Sequence, residues 1–550
     1  LKQRAGGVER NLNVLNVELL EPERRIGATK YMNTPFTPMA FQADDQLTLA
    51  KNDFTGLLNI EPGGGKTAAA LLAHKNSGSR TTLVVAPDQT HRRAWKEDAE
   101  WILGITPRTI GNSNKAQREA MFDFKFGYEG IFLITPQLLT RIDTEEFGGD
   151  LCIVDEGHML NNAGKKGQKQ LQTLATKFEA REFLSGTSWR NNFERAWATM
   201  RFLWPDLYMR GEVAYDNYYL WCRDRMMSEE IEVAPRNWYP TNWDEFKNPP
   251  EGYWRKNIGG VPHIGKPGTA NHWLNETNPG QLISEAPCVI THKKREECCK
   301  FHTVEAQGYA GFLPLDEPQE IEHVIDLTSV QKKAIKDLEK QNLAWLDDNP
   351  LVVDIPLTQK QRIRQLTLGE AQVQDYLAVN KDGEEVTKQN LIWDEKSKSP
   401  FTDELLDLME ELDGEPVVVY LASQSFAADC LVKKLNKAGF PAFEFSGQTR
   451  KTREDDLAKF GKDYQVAVVV ISAGGTGLDG LQKISKTEVW LERSTDETDN
   501  VQARSRQDRI GGLGQVQRHI FKDDLGYADG AYSDALVKRL ALQATLRKVH

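Results

Sequence analysis

The stretch EPGGGKTAAA (61–70) sets Gly63, Gly64 and Gly65 directly before Lys66 and Thr67. A glycine turn between a strand and a helix lets backbone N–H groups point at phosphate oxygens, beside the positive end of the helix dipole. Lys66 is then placed to reach the β- and γ-phosphates of a nucleotide, and the Thr67 hydroxyl to bind Mg²⁺. The signature G-x-x-x-x-G-K-[ST] asks for a glycine at position 60, where this chain has Ile60, so a plain strand–helix turn competes on this stretch alone. A second stretch, LCIVDEGHML (151–160), leads apolar residues into Asp155 and Glu156. Asp155 suits Mg²⁺ coordination, Glu156 suits orienting and deprotonating an attacking water, and His158 could relay between this site and another ligand. A solvated acidic turn is the competing reading, and it loses ground once Lys66 and Thr67 stand upstream.

These residues need a scaffold that delivers them to one edge. GLLNI (56–60) reads as a buried strand, and KTAAALLAHK after it holds strong helix formers. The runs TLVVAP (82–87), IFLITP (131–136), LCIVDE (151–156) and EFLSGT (182–187) each end in polar or glycine-rich turns. The pattern returns in EPVVVYLA (415–422), AFEFSG (442–447), VAVVVISAGGTG (466–477), TEVWLE (487–492) and RHIFKD (518–523). Alternation with helical patterns predicts two α/β lobes, each a parallel sheet covered by helices on both faces. Ligands of such sheets bind at the carboxyl ends of the strands, where Asp155 and Glu156 fall. Between the lobes, residues 205–285 turn rich in Pro, Asn, Gly and aromatics, including Trp221, Trp238, Trp243, Trp254 and Trp273. They are read as an insertion on lobe 1 whose tryptophans form its own core, with a stacking surface as the alternative. A charged helical stretch is expected from about Thr328 to Leu368.

The 550 residues carry a formal charge of −11, with 39% hydrophobic and 27% charged residues, an ordinary globular composition long enough for several domains. The acidic balance argues against a uniformly basic nucleic-acid coat, yet it permits a basic groove, since phosphate contact is local. No apolar run approaches the ~18 residues of a membrane span. LKQRAGGVERNLNV lacks the apolar core of a signal peptide, so no secretion is expected. Six cysteines make no disulfide framework and fit a reducing cytoplasm. One cluster, Cys288, His292, Cys298 and His302, has spacing that could hold zinc; buried thiols beside a surface helix are the competing explanation.

The segment FLSGTSWRNNFERAWATMRFLWPDLY (183–208) resembles motif III of the Swi/Snf-like branch of helicase superfamily two, roughly TGTP-x-x-N-x-x-x-E-L-W-x-x-x-x-F-L-x-P. Ser185, Gly186, Thr187, Asn191, Asn192, Glu194, Trp197, Phe202, Leu203 and Pro205 fall on its positions. Further segments are similar to the same family. MAFQADDQ resembles its adenine-reading glutamine motif, with Gln42 in the key place. TLVVAPDQTHRRAWKEDAE and FLITPQLLT resemble motifs Ia and Ib, which in the family touch the nucleic-acid backbone; Arg92, Arg93 and Thr135 are the residues implied. SAGGTGLDG resembles motif V, implying phosphate contacts from Gly474, Gly475 and Thr476, although Asp479 replaces the family's asparagine. NVQARSRQDRIGG (500–512) resembles motif VI, with Gln502, Arg506 and Arg509 matching. At helical spacing these three share one face, from which two guanidiniums could reach a γ-phosphate as arginine fingers. The family's phosphate loop reads close to DE-x-G-x-G-K-T and also lacks the early glycine, though Ile60 still replaces its acid.

The resemblance implies a Swi/Snf-like protein with a DEGH variant of the DExH box and two RecA-like parallel-sheet lobes. The expected organisation is an N-terminal extension (1–36), lobe 1 (37–204), the aromatic-rich insertion (205–290), a linker and helical lead-in (291–400) and lobe 2 (401–550). It further implies ATP hydrolysis with Mg²⁺, coupled through Ser185, Gly186, Thr187 and His158 to movement on DNA, duplex or branched, with the insertion as a surface for a protein partner. The alternatives are a strand-separating DEAH-type DNA or RNA helicase and a DNA-binding scaffold that does not hydrolyse ATP. The compact core, without an obvious bromodomain-, chromodomain- or nuclease-like addition, is more similar to bacterial and bacteriophage members, which implies the cytoplasm and no membrane.

Overall fold

The computed structural model describes residues 36 to 537 apart from 37, 39, 87–88, 158–159, 161–165, 187–192, 212–216, 234, 259–260, 279, 293–315, 342, 347–348, 354–355, 380–384, 450, 475–479, 510–511, 529, 531 and 534–535. Lobe 1 is built on seven strands: β1 (Gly56–Ile60), β2 (Thr81–Val85), β3 (Arg108–Thr109), β4 (Gly130–Ile134), β5 (Gly149–Asp155), β6 (Phe178–Leu184) and β7 (Val289–His292). They lie in the order β7-β1-β6-β5-β2-β4-β3, and every pair is parallel. β1 and β2 are buried along their whole length, as the unbroken apolar character of GLLNI and TTLVV requires of strands covered on both faces. Of the five interior strands, β1 coincides with its apolar run, while the ends of β2, β4, β5 and β6 differ from theirs by one to four residues.

Three helices bear on the site. α1 (Ala40–Ala50) packs along α2 (Lys66–Ser77), and α3 (Gln89–Leu103) follows β2. α2 buries Ala69, Ala70, Leu71, Leu72 and Ala73 and is closed by Gly78 at φ 69, whose N–H donates to the Lys75 carbonyl. Only glycine takes that left-handed closing turn without strain.

The insertion leaves lobe 1 through helix Ala196–Leu203 and helix Tyr218–Arg225, then forms an antiparallel pair from Met226–Val233 and Gly268–Glu276. A second small antiparallel sheet, from Tyr239–Pro240, Trp254–Ile258 and Val261–Gly265, sits within the excursion. Its base is fastened by Arg225, whose guanidinium meets the Glu285 carboxylate at 2.5 Å, before the chain returns as β7. The tryptophans divide. Trp221 is fully buried in the core of lobe 1 itself, and Trp273 packs against the same cluster. Trp238 and Trp254 are half-buried, while Trp243 is exposed.

Lobe 2 is a second all-parallel sheet of six strands: β8 (Gln319–Ile325), β9 (Val417–Leu421), β10 (Ala442–Phe445), β11 (Val466–Val470), β12 (Thr487–Trp490) and β13 (Gln517–Asp523). Their order is β8-β13-β12-β9-β11-β10. β8 arises within the stretch expected as linker and pairs with the last strand over seven residues, Gln319 with Gln517 through Ile325 with Asp523. The expected helical stretch 328–368 is two helices, Ser329–Gln341 and Pro356–Thr367, parted by a tight antiparallel pair, Leu343–Leu346 with Asn349–Val352. Ala344, Leu346 and Leu351 of this pair bury into the core of lobe 2.

At the centre of the lobe 1 sheet, Glu182 on β6 has no exposure, and neither carboxyl oxygen has a hydrogen-bond partner among the described residues. Burial, and the charge of Asp45 second, hold its carboxyl well above the ordinary value of 4.5. The folded chain therefore keeps a proton that the unfolded chain releases, a cost that is absent below that ordinary value and grows as pH rises toward the raised folded one. Glu182→Gln, uncharged throughout, is expected to melt higher than wild type at pH 8 and with little difference at pH 4. Thermal melts at both pH values check this, and equal differences at the two would contradict it.

Candidate functional site

The glycine loop is formed as its composition demands. Gly63 and Gly65 have φ of 87° and 85°, and Gly64 N–H donates to the Glu61 carbonyl at 2.9 Å. Gly65 is the N-cap of α2 and supplies no side-chain cap, so the first-turn amides of Lys66 onward face the loop. A side chain at Gly65 would meet Gln42 Nε2 at 2.8 Å. Gln42, buried on α1, donates weakly to the Gly65 carbonyl at 3.4 Å and thus borders the loop. Gln46, one turn on, donates to the Ala69 carbonyl at 3.0 Å and fixes α1 against α2.

Lys66 Nζ donates to the Ile60 carbonyl at 3.2 Å and lies 3.6 Å from Glu156 Oε1. The acid pair stands at the carboxyl end of β5, as its run of apolar residues predicts. Asp155 Oδ2 accepts from the Trp95 indole N–H at 2.9 Å. Glu156 is buried and has φ 48°, a left-handed conformation costly for a residue with a side chain, of order 1–3 kcal/mol. The next residue must be glycine for a different reason: a Cβ at Gly157 would fall 2.2 Å from the Phe183 ring. Gly186 is equally confined, its would-be Cβ 2.7 Å from Pro62 and 2.8 Å from the Ile60 carbonyl, so the end of β6 rests directly on the loop. Ser185 beside it is buried, and its N–H donates to the Leu58 carbonyl at 3.1 Å.

From lobe 2, Gln502 reaches this pair. Its Nε2 donates to Glu156 Oε2 at 3.2 Å, so one buried carboxylate meets a cation from lobe 1 and an amide from lobe 2. The expected single helical face for 502, 506 and 509 is not what forms. Helix Glu497–Arg504, here α4, ends before the arginines, and Arg506 and Arg509 follow on turns. The Ser505 hydroxyl takes the Gln502 carbonyl at 2.7 Å, and the Gln507 amide is drawn to the Ser485 and Thr487 carbonyls, which turns the chain off the helix axis. Arg506 is buried there, and Arg509 Nε donates to the Ser505 carbonyl at 2.8 Å.

The donor set suits a Mg²⁺-bound nucleotide: a glycine cradle at a helix N-terminus, a lysine beside it, and a carboxylate at the strand end. Thr67 and Asp155 are the residues that would hold the metal. Of the residues expected to meet nucleic acid, Thr135 caps the short helix Pro136–Leu139, its hydroxyl accepting from Leu138 N–H at 3.3 Å. Arg92 and Arg93 lie on α3 and Gly474 ends helix Ile471–Gly474. His158, Thr187, Asn191, Asn192, Gly475, Thr476 and Asp479 lie outside the described residues, as do Cys298 and His302. The other two of the zinc quartet are engaged in the fold. Cys288 packs in the core beside Gly56, its thiol pushed up to about 12 by burial, and His292 Nε2 meets Asp45 Oδ1 at 2.7 Å. Among the described residues no group of three His, Cys, Asp or Glu side chains is arranged to hold a metal, and no helix is long and apolar enough to cross a membrane.

Trp95, Gln46, Asp45 and His292 join the site without having been singled out for it. The signal for Trp95 lay in the motif Ia stretch, where an aromatic among charges marks the buried face of an amphipathic helix.

Comparison with known proteins finds likeness in lobe 1. Residues 45–225 match the SNF2-related domain family. The ATP-dependent helicase fft2 of Schizosaccharomyces pombe is 30% identical over 174 residues, 29% of this chain and 13% of that protein. The ISWI chromatin-remodeling complex ATPase ISW1 of Saccharomyces cerevisiae is 23% identical over 189 residues, 32% of this chain and 16% of its own length. The aligned part of this chain thus spans under a fifth of either relative. Among solved structures, the Sulfolobus solfataricus SWI2/SNF2 ATPase core in complex with dsDNA aligns over 94% of this chain and 97% of its own at 16% identity, with a TM-score of 0.33. Residues 45–225, which hold the glycine loop, the acid pair and the Ser185–Gly186 strand end, are thus similar to the SNF2-related domain family.

Proposed function

We propose that this protein is an ATP-dependent DNA translocase, hydrolysing ATP between its lobes and moving on duplex DNA to remodel DNA structures or protein–DNA complexes. The observation that carries the reading is Glu156, buried between Lys66 of lobe 1 and Gln502 of lobe 2. A carboxylate there can orient a water and take its proton only when both lobes are present around it. Lys66, now on the Ile60 carbonyl and Glu156, is one side-chain rotation from a phosphate in the loop. Gln42 borders the loop from α1, on the side where an adenine ring would be read. Mg²⁺ held by Thr67 and Asp155 would neutralise charge on the transferring phosphoryl group. Arg506 and Arg509 are the arginine fingers of this reading, carried on a turn whose position follows lobe 2, so lobe closure and chemistry are coupled. Arg92, Arg93, Thr135, Gly474, Gly475 and Thr476 would grip the DNA backbone across both lobes.

Three outcomes follow. Lys66→Ala and Glu156→Gln each lower ATP turnover by at least ~10²-fold, with DNA retention in a gel-shift assay largely unchanged. Gln502→Ala lowers kcat by roughly tenfold or more, the worth of one hydrogen bond to a charged group, in steady-state kinetics. Turnover measured with duplex DNA, single strands, forks and RNA, together with triplex displacement, is highest with duplex; stimulation by RNA alone would replace this reading with an RNA helicase, and an inactive wild type with a scaffold.

A further inference from the structure

Trp95 lies on α3, sixty residues from the acid pair in sequence, and is 1% exposed. Its indole N–H donates to Asp155 Oδ2 at 2.9 Å, with both groups buried. An indole nitrogen is a donor only: it cannot accept a proton or bind a metal. A buried carboxylate with one oxygen tied to a fixed, charge-assisted donor loses its freedom to rotate, and the direction of Oδ1 is set with it. Trp95 is itself immobile, because Ala99, four residues on, is buried on the same face of α3 and both pack into the core beneath β2 and β5. The indole is therefore a rigid strut between a helix and a carboxylate.

We propose that Trp95 is the positioning residue that orients Asp155 toward the nucleotide's divalent cation, so that metal affinity depends on where α3 sits. The inference rests on the assignment of Asp155 to Mg²⁺. It also gives α3 a role in the chemistry: Arg92 and Arg93 lie on the same helix within one turn of Trp95, so a displacement of α3 reaches Asp155 through a single hydrogen bond.

The test uses the full chain with a non-hydrolysable ATP analogue and Mn²⁺ as the probe, its binding followed by electron paramagnetic resonance. Trp95→Phe keeps an aromatic ring and removes the donor. It is expected to weaken Mn²⁺ binding to the analogue complex five- to tenfold while leaving analogue affinity in EDTA within twofold. Trp95→His, smaller but with a ring N–H, is expected to bind Mn²⁺ more tightly than Trp95→Phe. A packing role alone gives the reverse order, since histidine fills the site less well. Unchanged Mn²⁺ affinity in a folded Trp95→Phe overturns the inference. Should that variant fail to fold by circular dichroism, Trp95→His decides alone: affinity within threefold of wild type supports the strut, and a greater loss at native melting temperature overturns it. If the wild-type analogue complex binds no Mn²⁺, the assignment of Asp155 fails instead.

Discussion

The site is organised around the buried carboxylate of Glu156. Glu156 stands at 7% exposure, and burying a carboxylate at that depth is costly unless it is paired and hydrogen-bonded. Lys66 at 3.6 Å supplies the opposite charge and Gln502 at 3.2 Å supplies a hydrogen bond from the other lobe. The partners come from the helix after β1 and from α4, so the arrangement exists only where the two parallel sheets face each other at their carboxyl ends. The backbone bears a cost as well, since Glu156 is held at φ 48°. Strain of that kind persists only where its surroundings fix it, and here the turn is fixed by Phe183, which leaves no room for a side chain at Gly157.

That steric confinement runs through the whole edge. Gly157 lies against Phe183, and Gly186, three residues after that ring, lies against Pro62 and the Ile60 carbonyl. The phosphate loop, the acid pair and the end of β6 therefore touch through positions where no Cβ fits. A shift of any one of them must be followed by the others, because close-packed neighbours cannot absorb even a methyl group without moving. Coupling between the nucleotide loop and the strand end needs no long-range pathway when the separation is a van der Waals contact.

Much of this was legible in the residues. The apolar runs located most strands of both sheets, because strands covered on two faces carry few polar side chains, Glu182 being an exception, and the acids emerged at strand ends as expected. The glycine turn was legible despite Ile60, since Gly63 and Gly65 take φ near +85°. What escaped was set by distant partners. β8 fell within the stretch expected as linker and helical lead-in, and its pairing with β13 makes it part of the second sheet. Arg506 and Arg509 kept helical spacing in sequence, yet Ser505 and Gln507 capture backbone carbonyls and end the helix early. Trp221 was read as insertion core, but it belongs to lobe 1, which no local pattern distinguishes.

The insertion is nevertheless joined to the glycine loop. The chain returning from it forms β7, whose last residue, His292, pairs with Ile60 at the end of β1. The His292 carbonyl accepts from Glu61 N–H at 3.1 Å, at the first residue of the loop, while its ring meets Asp45 at 2.7 Å and stands edge-on to Phe41 at 5.0 Å. Asp45 and Phe41 flank Gln42 on α1. One residue thus holds the loop by its backbone and the adjoining helix by its side chain, directly beyond the fastened base of the excursion. Arg225 and Glu285 close that base, their charged groups 2.5 Å apart. β7 therefore joins the returning end of the excursion to Glu61 by its backbone and to α1 by the His292 ring, on the side of the loop that Gln42 borders.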